Sequence, residues 1–128
     1  MTNIQRSISG NEETILHIAA AANQEDFVKK LLTSNNYNLT AETNVGNTAL
    51  TYAAAAGNVK IAEMMVKKNR ALPNLGTGVK PLSMAALLGH SEMVQYLYSV
   101  TKIDKPDDWN DIFIDCVRTD LYGKHKLL

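Results

Sequence analysis

The sequence predicts an all-α solenoid of stacked helix-turn-helix units, and three observations predict it. First, one pattern occurs three times: Thr14-Ile15-Leu16-His17-Ile18-Ala19-Ala20, Thr48-Ala49-Leu50-Thr51-Tyr52-Ala53-Ala54 and Lys80-Pro81-Leu82-Ser83-Met84-Ala85-Ala86. Second, the anchoring leucines Leu16, Leu50 and Leu82 stand 34 and 32 residues apart, a period that belongs to tandem arrays rather than to one central core. Third, each copy is followed by a turn and a second apolar stripe, so each unit carries an oily side that only a neighbour can cover.

The elements follow in order. Residues 1 to about 11 are polar apart from Ile4 and Ile8. Thr14 is placed to cap a short helix whose first N–H groups lack partners. That helix is dense in small and apolar residues, and Asn23 is its expected left-handed stop. An outer helix runs from about Gln24 to Thr33, with Phe27, Val28, Leu31 and Leu32 on its apolar stripe. Its acidic start and basic end complement the helix dipole. Ser34 to Asn38 breaks the pattern and marks a loop.

In the second unit Thr48 caps, Ala49 to Ala56 form the inner helix and Gly57 turns the chain. Val59, Ile61, Ala62, Met65 and Val66 form the outer stripe, and Asn69 to Gly78 is the next loop. In the third unit Pro81 opens the inner helix, where its missing N–H costs nothing. That helix is expected to reach Leu88, with Gly89 turning the chain. Ser91 is expected to cap an outer helix bearing Met93, Val94, Leu97 and Tyr98. Laying Phe113 on Leu82, a step of 31, puts Cys116 and Val117 on Ala85 and Ala86. A fourth, shortened unit follows, with an inner helix over Trp109 to Thr119 and the start of an outer one over Leu121 to Leu128. The units run about 10–43, 44–75, 76–106 and 107–128, all within a single repeat domain over 1–128.

Composition bounds the function. Thirteen basic residues balance thirteen acidic ones, so no field of one sign draws nucleic acid or an anionic membrane. The longest apolar run, Ile18 to Ala22, is too short to span a bilayer. The first residues lack the apolar core of a signal peptide. One cysteine, Cys116, allows no internal disulfide. A cytoplasmic setting is the expectation.

The three copies resemble the ankyrin signature T-P-L-H-x-A, whose period is near 33. The first keeps all but the proline, the second lacks proline and histidine, and the third lacks threonine and histidine. Those losses are expected to weaken the hydrogen bonds that tie a repeat to its own turn and to its neighbour. The resemblance covers about residues 10 to 99, and 109 to 128 more faintly. Gly46-Asn47-Thr48-Ala49-Leu50, the run from Ala53 to Val66, Met84 to Val94 and Asp120-Leu121-Tyr122 are similar to plant ankyrin proteins that end in a membrane-spanning PGG domain. That similarity implies the cytosolic part of a stress- or defence-signalling protein. This chain contains none of the membrane domain, so any membrane contact belongs to a longer parent.

The resemblance also implies a concave face of inner helices and loop tips that binds protein partners. The family's variable positions fall on Glu13, Asn47 and Val79 beside the turns, Asn44, Val45 and Thr77 in the loops, and Ala21, Ala55 and Leu87 on the inner helices. The columns Ala21/Ala55/Leu87 and Ala22/Ala56/Leu88 are apolar throughout. They imply a shallow greasy channel for an apolar peptide or helix; the competing reading is that the alanines only allow close helix packing.

Chemistry is otherwise thin. His17 fills the motif's histidine position and is structural, His90 follows the turn glycine, and His125 lies between two lysines. No pair sits at helical spacing with a third ligand, as a zinc site needs. Asp107, Asp108, Asp111 and Asp115 cluster near Trp109 without the spacing of a calcium cage. Gly76-Thr77-Gly78-Val79-Lys80 lacks the spacing of a phosphate loop. Cys116 aligns with a buried small-residue position, where a thiol is inert. The sequence therefore points to a non-catalytic scaffold with no cofactor and no metal. Two alternatives stand beside it: a fragment or degenerate remnant of a membrane-anchored ankyrin protein, and a hydrolase using Cys116. The resemblance to the plant subfamily and the abrupt stop favour the fragment.

Overall fold

A computed structural model of the chain describes residues 13–34 and 37–103. Among the described residues six α-helices follow one another: α1 (Ile15–Ala21), α2 (Glu25–Thr33), α3 (Ala49–Ala56), α4 (Val59–Lys68), α5 (Pro81–Leu87) and α6 (Ser91–Val100). A single 3-10 turn, Leu72–Asn74, lies between α4 and α5. No strand forms among the described residues. The inner helices α1, α3 and α5 lie side by side, with α3 packed between the other two. The outer helices α2, α4 and α6 each pack on their own inner helix, and α4 packs between α2 and α6. The fourth unit, Cys116, His125 and the aspartate cluster lie outside the described residues.

The period of the sequence becomes columns in the core. Leu16, Leu50 and Leu82 are at most 2% exposed, and all three belong to one buried cluster. The motif alanines Ala19, Ala53 and Ala85 form a second fully covered set, and their small side chains let neighbouring helices approach. Outer-helix stripes close the other side through Val28, Leu31 and Leu32, then Ile61, Ala62, Met65 and Val66, then Met93, Val94 and Leu97. Leu39 and Leu72, 33 residues apart, drop from successive loops into the same core. The loop expected over Asn69 to Gly78 is thus partly a core element, since Leu72 and Pro73 are buried on its 3-10 turn.

Several local expectations are corrected. Phe27, placed on the buried stripe of α2, is 41% exposed, and Val28 takes the inward direction instead. Tyr98 is only half-buried on α6. Helix α5 ends at Leu87, not Leu88, and the N-cap of α6 is His90, with Ser91 the first helical residue.

The caps explain a larger difference. In α1, the Thr14 hydroxyl accepts from the His17 N–H, and the imidazole Nδ1 accepts from the Thr14 N–H at 3.1 Å. The other ring nitrogen, Nε2, donates to the Asn47 carbonyl of the next unit at 3.0 Å. In α3 the histidine position holds Thr51. Its hydroxyl makes the homologous bond, donating to the Val79 carbonyl at 3.0 Å. The bond between neighbours therefore survives the loss of histidine. The bond within the unit does not: Thr48 sits at the N-cap without a side-chain cap bond, and its hydroxyl is buried without a partner.

The turns carry a second tie. Gly57 has φ of +75°, and a Cβ there would stand 2.8 Å from the His90 ring, a contact no side chain tolerates. His90 uses the space to donate from Nε2 to the Ala55 carbonyl at 2.9 Å.

Two stability outcomes follow. Ala53→Glu buries a carboxylate between α3 and its neighbours and should cost several kcal/mol; a urea melt matching that of the wild type would refute the packing register. Thr51→His should supply the missing bond to Thr48 while keeping the one to Val79. At pH 8, where imidazole is neutral, it should raise stability by about 1 kcal/mol, read as a higher melting temperature.

Candidate functional site

The inner helices α1, α3 and α5 contain no lysine, arginine, aspartate or glutamate, and their titratable side chains are the buried imidazole of His17 and the phenol of Tyr52. Small residues leave space there. A cleft of about 360 Å³ is lined by Ala21 from α1, by Thr51, Tyr52, Ala55 and Ala56 from α3, by Met84 from α5 and by Asn47 from the preceding loop. That volume lies at the lower end of the range for small-molecule pockets. Beyond the cleft, Leu87 and Leu88 are 70% and 53% exposed, so the third unit offers bulk where the first two offer alanine.

Tyr52 is fixed from two directions. Its hydroxyl donates to the Glu13 carboxylate. Its ring meets His17 edge to face, with centroids 5.0 Å apart. Burial, and then the bond to Glu13, push the phenol up to about 12, so Tyr52 is a neutral donor at any physiological pH. His17 is shifted downward, chiefly by burial, with the Asn47 carbonyl and Glu13 pulling weakly the other way. Its contacts fit one neutral tautomer, with hydrogen on Nε2 toward the Asn47 carbonyl and the lone pair of Nδ1 toward the N–H and hydroxyl of Thr14. A second proton would point at the Thr14 N–H.

The loop tips are locked to each other. The Gly78 N–H donates to the Gly46 carbonyl at 2.9 Å, and the Val79 N–H donates to Asn47 Oδ1 at 2.9 Å. Thr77 donates its hydroxyl to Glu42 at 3.0 Å. Gly46, at φ of +83°, has no room for a side chain, since a Cβ would fall 2.3 Å from the Thr77 hydroxyl.

Of the residues expected from sequence, the structure brings Ala21, Asn47 and Ala55 into the cleft. Glu13 joins them through Tyr52. Asn44, Val45, Thr77 and Val79 are exposed on the loops, and Leu87 stands on α5 outside the cleft lining. Sequence reasoning missed Thr51, Tyr52 and Met84. Tyr52 and Met84 occupy the unspecified position of the repeated motif, where only an aromatic set among alanines hinted at a role.

A family model described as ankyrin repeats, in three copies, matches residues 16–108. The chain belongs to the ankyrin-repeat family. No curated protein matches it. Ankyrin repeats are generally protein–protein interaction modules and typically non-enzymatic, so an uncharged cleft between ankyrin inner helices is the natural candidate site. Among the described residues no helix is long and apolar enough to cross a membrane, and no three His, Cys, Asp or Glu side chains group as metal ligands do.

The histidine tie between ankyrin units sets a pH dependence. The folded pKa of His17 lies below its unfolded value of 6.5, so the unfolded chain takes up the proton first. Stability is whole above pH 6.5 and falls as the pH drops from 6.5 through the folded value. His17→Gln should flatten that part of the profile between pH 6.5 and 5, measured by urea titration at each pH. An unchanged slope would mean that His17 titrates alike in both states.

Proposed function

We propose that this ankyrin-repeat chain is a non-catalytic adaptor that holds an apolar segment of a protein partner against its inner-helix face. One observation carries the reading. Three successive inner helices, free of lysine, arginine, aspartate and glutamate, present a cleft lined by Tyr52, beside two exposed leucines. An apolar cleft with a few placed polar groups is how a groove holds a peptide or helix. Asn47, Thr51 and Tyr52 supply the polar groups, while Ala21, Ala55 and Ala56 supply depth. On this reading Glu13, Asn44, Val45, Thr77 and Val79 and the exposed Leu87 and Leu88 would extend the contact beyond the cleft lining.

Similarity to the ankyrin part of plant PGG-domain proteins supports a setting in stress or defence signalling, in the cytoplasm or on the cytosolic side of a membrane. The locked loops support a preformed surface. Rim positions already tied in the free protein cost little ordering on binding.

The test is direct. Ala55→Arg and Leu87→Glu place charges on the face at positions that are not buried in the core, so the helical circular dichroism should be retained. Partner proteins recovered from a lysate of plant cells by the wild type should be lost with either variant. Unchanged recovery with an intact fold would remove the groove from consideration.

A further inference from the structure

We infer that the segment held by this groove is an extended strand of the partner, with a main-chain carbonyl that accepts from the side-chain amide of Asn47. The inference rests on the groove reading above and decides between the two forms, strand and helix, that such a groove can hold. Asn47 lines the cleft, and its polar atoms are engaged with one exception. Its N–H donates to the Thr43 hydroxyl at 3.3 Å. Its carbonyl accepts from the Thr43 N–H and from His17 Nε2, both at 3.0 Å. Its Oδ1 accepts from the Val79 N–H at 2.9 Å. That last bond fixes which way round the amide lies, because a backbone N–H has to meet the oxygen. The Nδ2 group, with two hydrogens to give, has no partner among the described residues.

The other polar side chains of the cleft complement it. Thr51 gives its hydroxyl hydrogen to the Val79 carbonyl, and Tyr52 gives its own to Glu13. Neither keeps a hydrogen for a ligand, so both meet one as acceptors. Asn47 is therefore the side-chain donor of the lining, set among Ala21, Ala55, Ala56 and Met84. A peptide unit brings the opposite pair, one carbonyl and one N–H. In an α-helix both are spent on the helix's own ladder except at its ends. A helix laid in the groove would cover the Asn47 amide without answering it, and a covered donor without a partner is costly. An extended segment arrives with its amides free. Its side chains alternate, so every second one faces the alanines while the backbone lies within reach of Asn47.

A selection from random peptides displayed on phage tests this, with Ala55→Arg protein as the counter-target. Peptides that bind the wild type and not Ala55→Arg are the groove-dependent ones. Their apolar residues should stand at i and i+2, the period of a strand, rather than at the i, i+3, i+4 and i+7 of a helix. Asn47→Asp keeps an oxygen for the Val79 N–H and removes the Nδ2 donor. With its helical circular dichroism intact, it should bind the synthesised peptides about tenfold more weakly, the scale of one lost hydrogen bond that leaves a carbonyl covered. An ester in place of one peptide amide, whose carbonyl is the weaker acceptor, should weaken binding to the wild type at one position of the segment. That scan decides the matter if Asn47→Asp does not fold. Groove-dependent peptides patterned as helices, binding indifferent to a folded Asn47→Asp, or an ester scan with no sensitive position would overturn the strand inference and leave the groove standing. A selection yielding no groove-dependent peptide would overturn both.

Discussion

Consecutive inner helices approach closely because alanine fills the same inward position in every unit, at Ala19, Ala53 and Ala85. That approach is what lets Leu16, Leu50 and Leu82 bury completely, since a single helix pair is too thin to cover its own leucine. Isolated helices of seven to ten residues are marginal in water. Packing against neighbours, not helix propensity, therefore holds each one. The middle helix α3 is covered on two sides, whereas among the described residues α1 and α5 each have one inner-helix neighbour.

Hydrogen bonds between units run parallel to this packing. His17 reaches the Asn47 carbonyl, Thr51 reaches the Val79 carbonyl, and His90 reaches back to the Ala55 carbonyl. Each bond ties a side chain of one unit to backbone of another, so each fixes register as well as contact. The loop tips repeat the device through Asn47 and Val79. One residue thus serves both tasks: the carbonyl of Asn47 satisfies His17, and its amide oxygen holds the next loop. Buried alanines permit the stacking, and a separate set, Ala21, Ala55 and Ala56, lines the cleft on the inner face. Tyr52 lines that cleft, and Leu87 and Leu88 stand exposed beyond it.

Much of this was legible in the sequence. Spacing of leucines and alanines located the helices, and Gly57, Gly89 and Asn23 marked the left-handed turns that the backbone adopts. What escaped was anything set by a partner distant in sequence. The bond from Thr51 to Val79 spans 28 residues, so the loss of histidine looked more costly than it is. The bond from Tyr52 to Glu13 spans 39, so the floor of the cleft was invisible to a motif that leaves that position open. Phe27 misled because its place on a helical wheel lies near the edge of the stripe, where one residue of rotation decides exposure. Leu72 was hidden in a stretch whose proline and glycines spell a loop, although its spacing from Leu39 repeats the unit length. Of the candidate positions in the cleft, Ala21 and Ala55 were implied by the family resemblance, while Glu13 reaches it through a tyrosine that the family pattern does not specify.

Native-state hydrogen exchange, resolved by residue, measures the stacking of inner helices most directly. If each unit is stable only through its neighbours, amides of α3 should be the slowest, exchanging at least about tenfold more slowly than those of α1 and α5. Equal protection of α1, α3 and α5 would mean one undivided core. Protection lower in α3 than in α1 would contradict nearest-neighbour stacking outright.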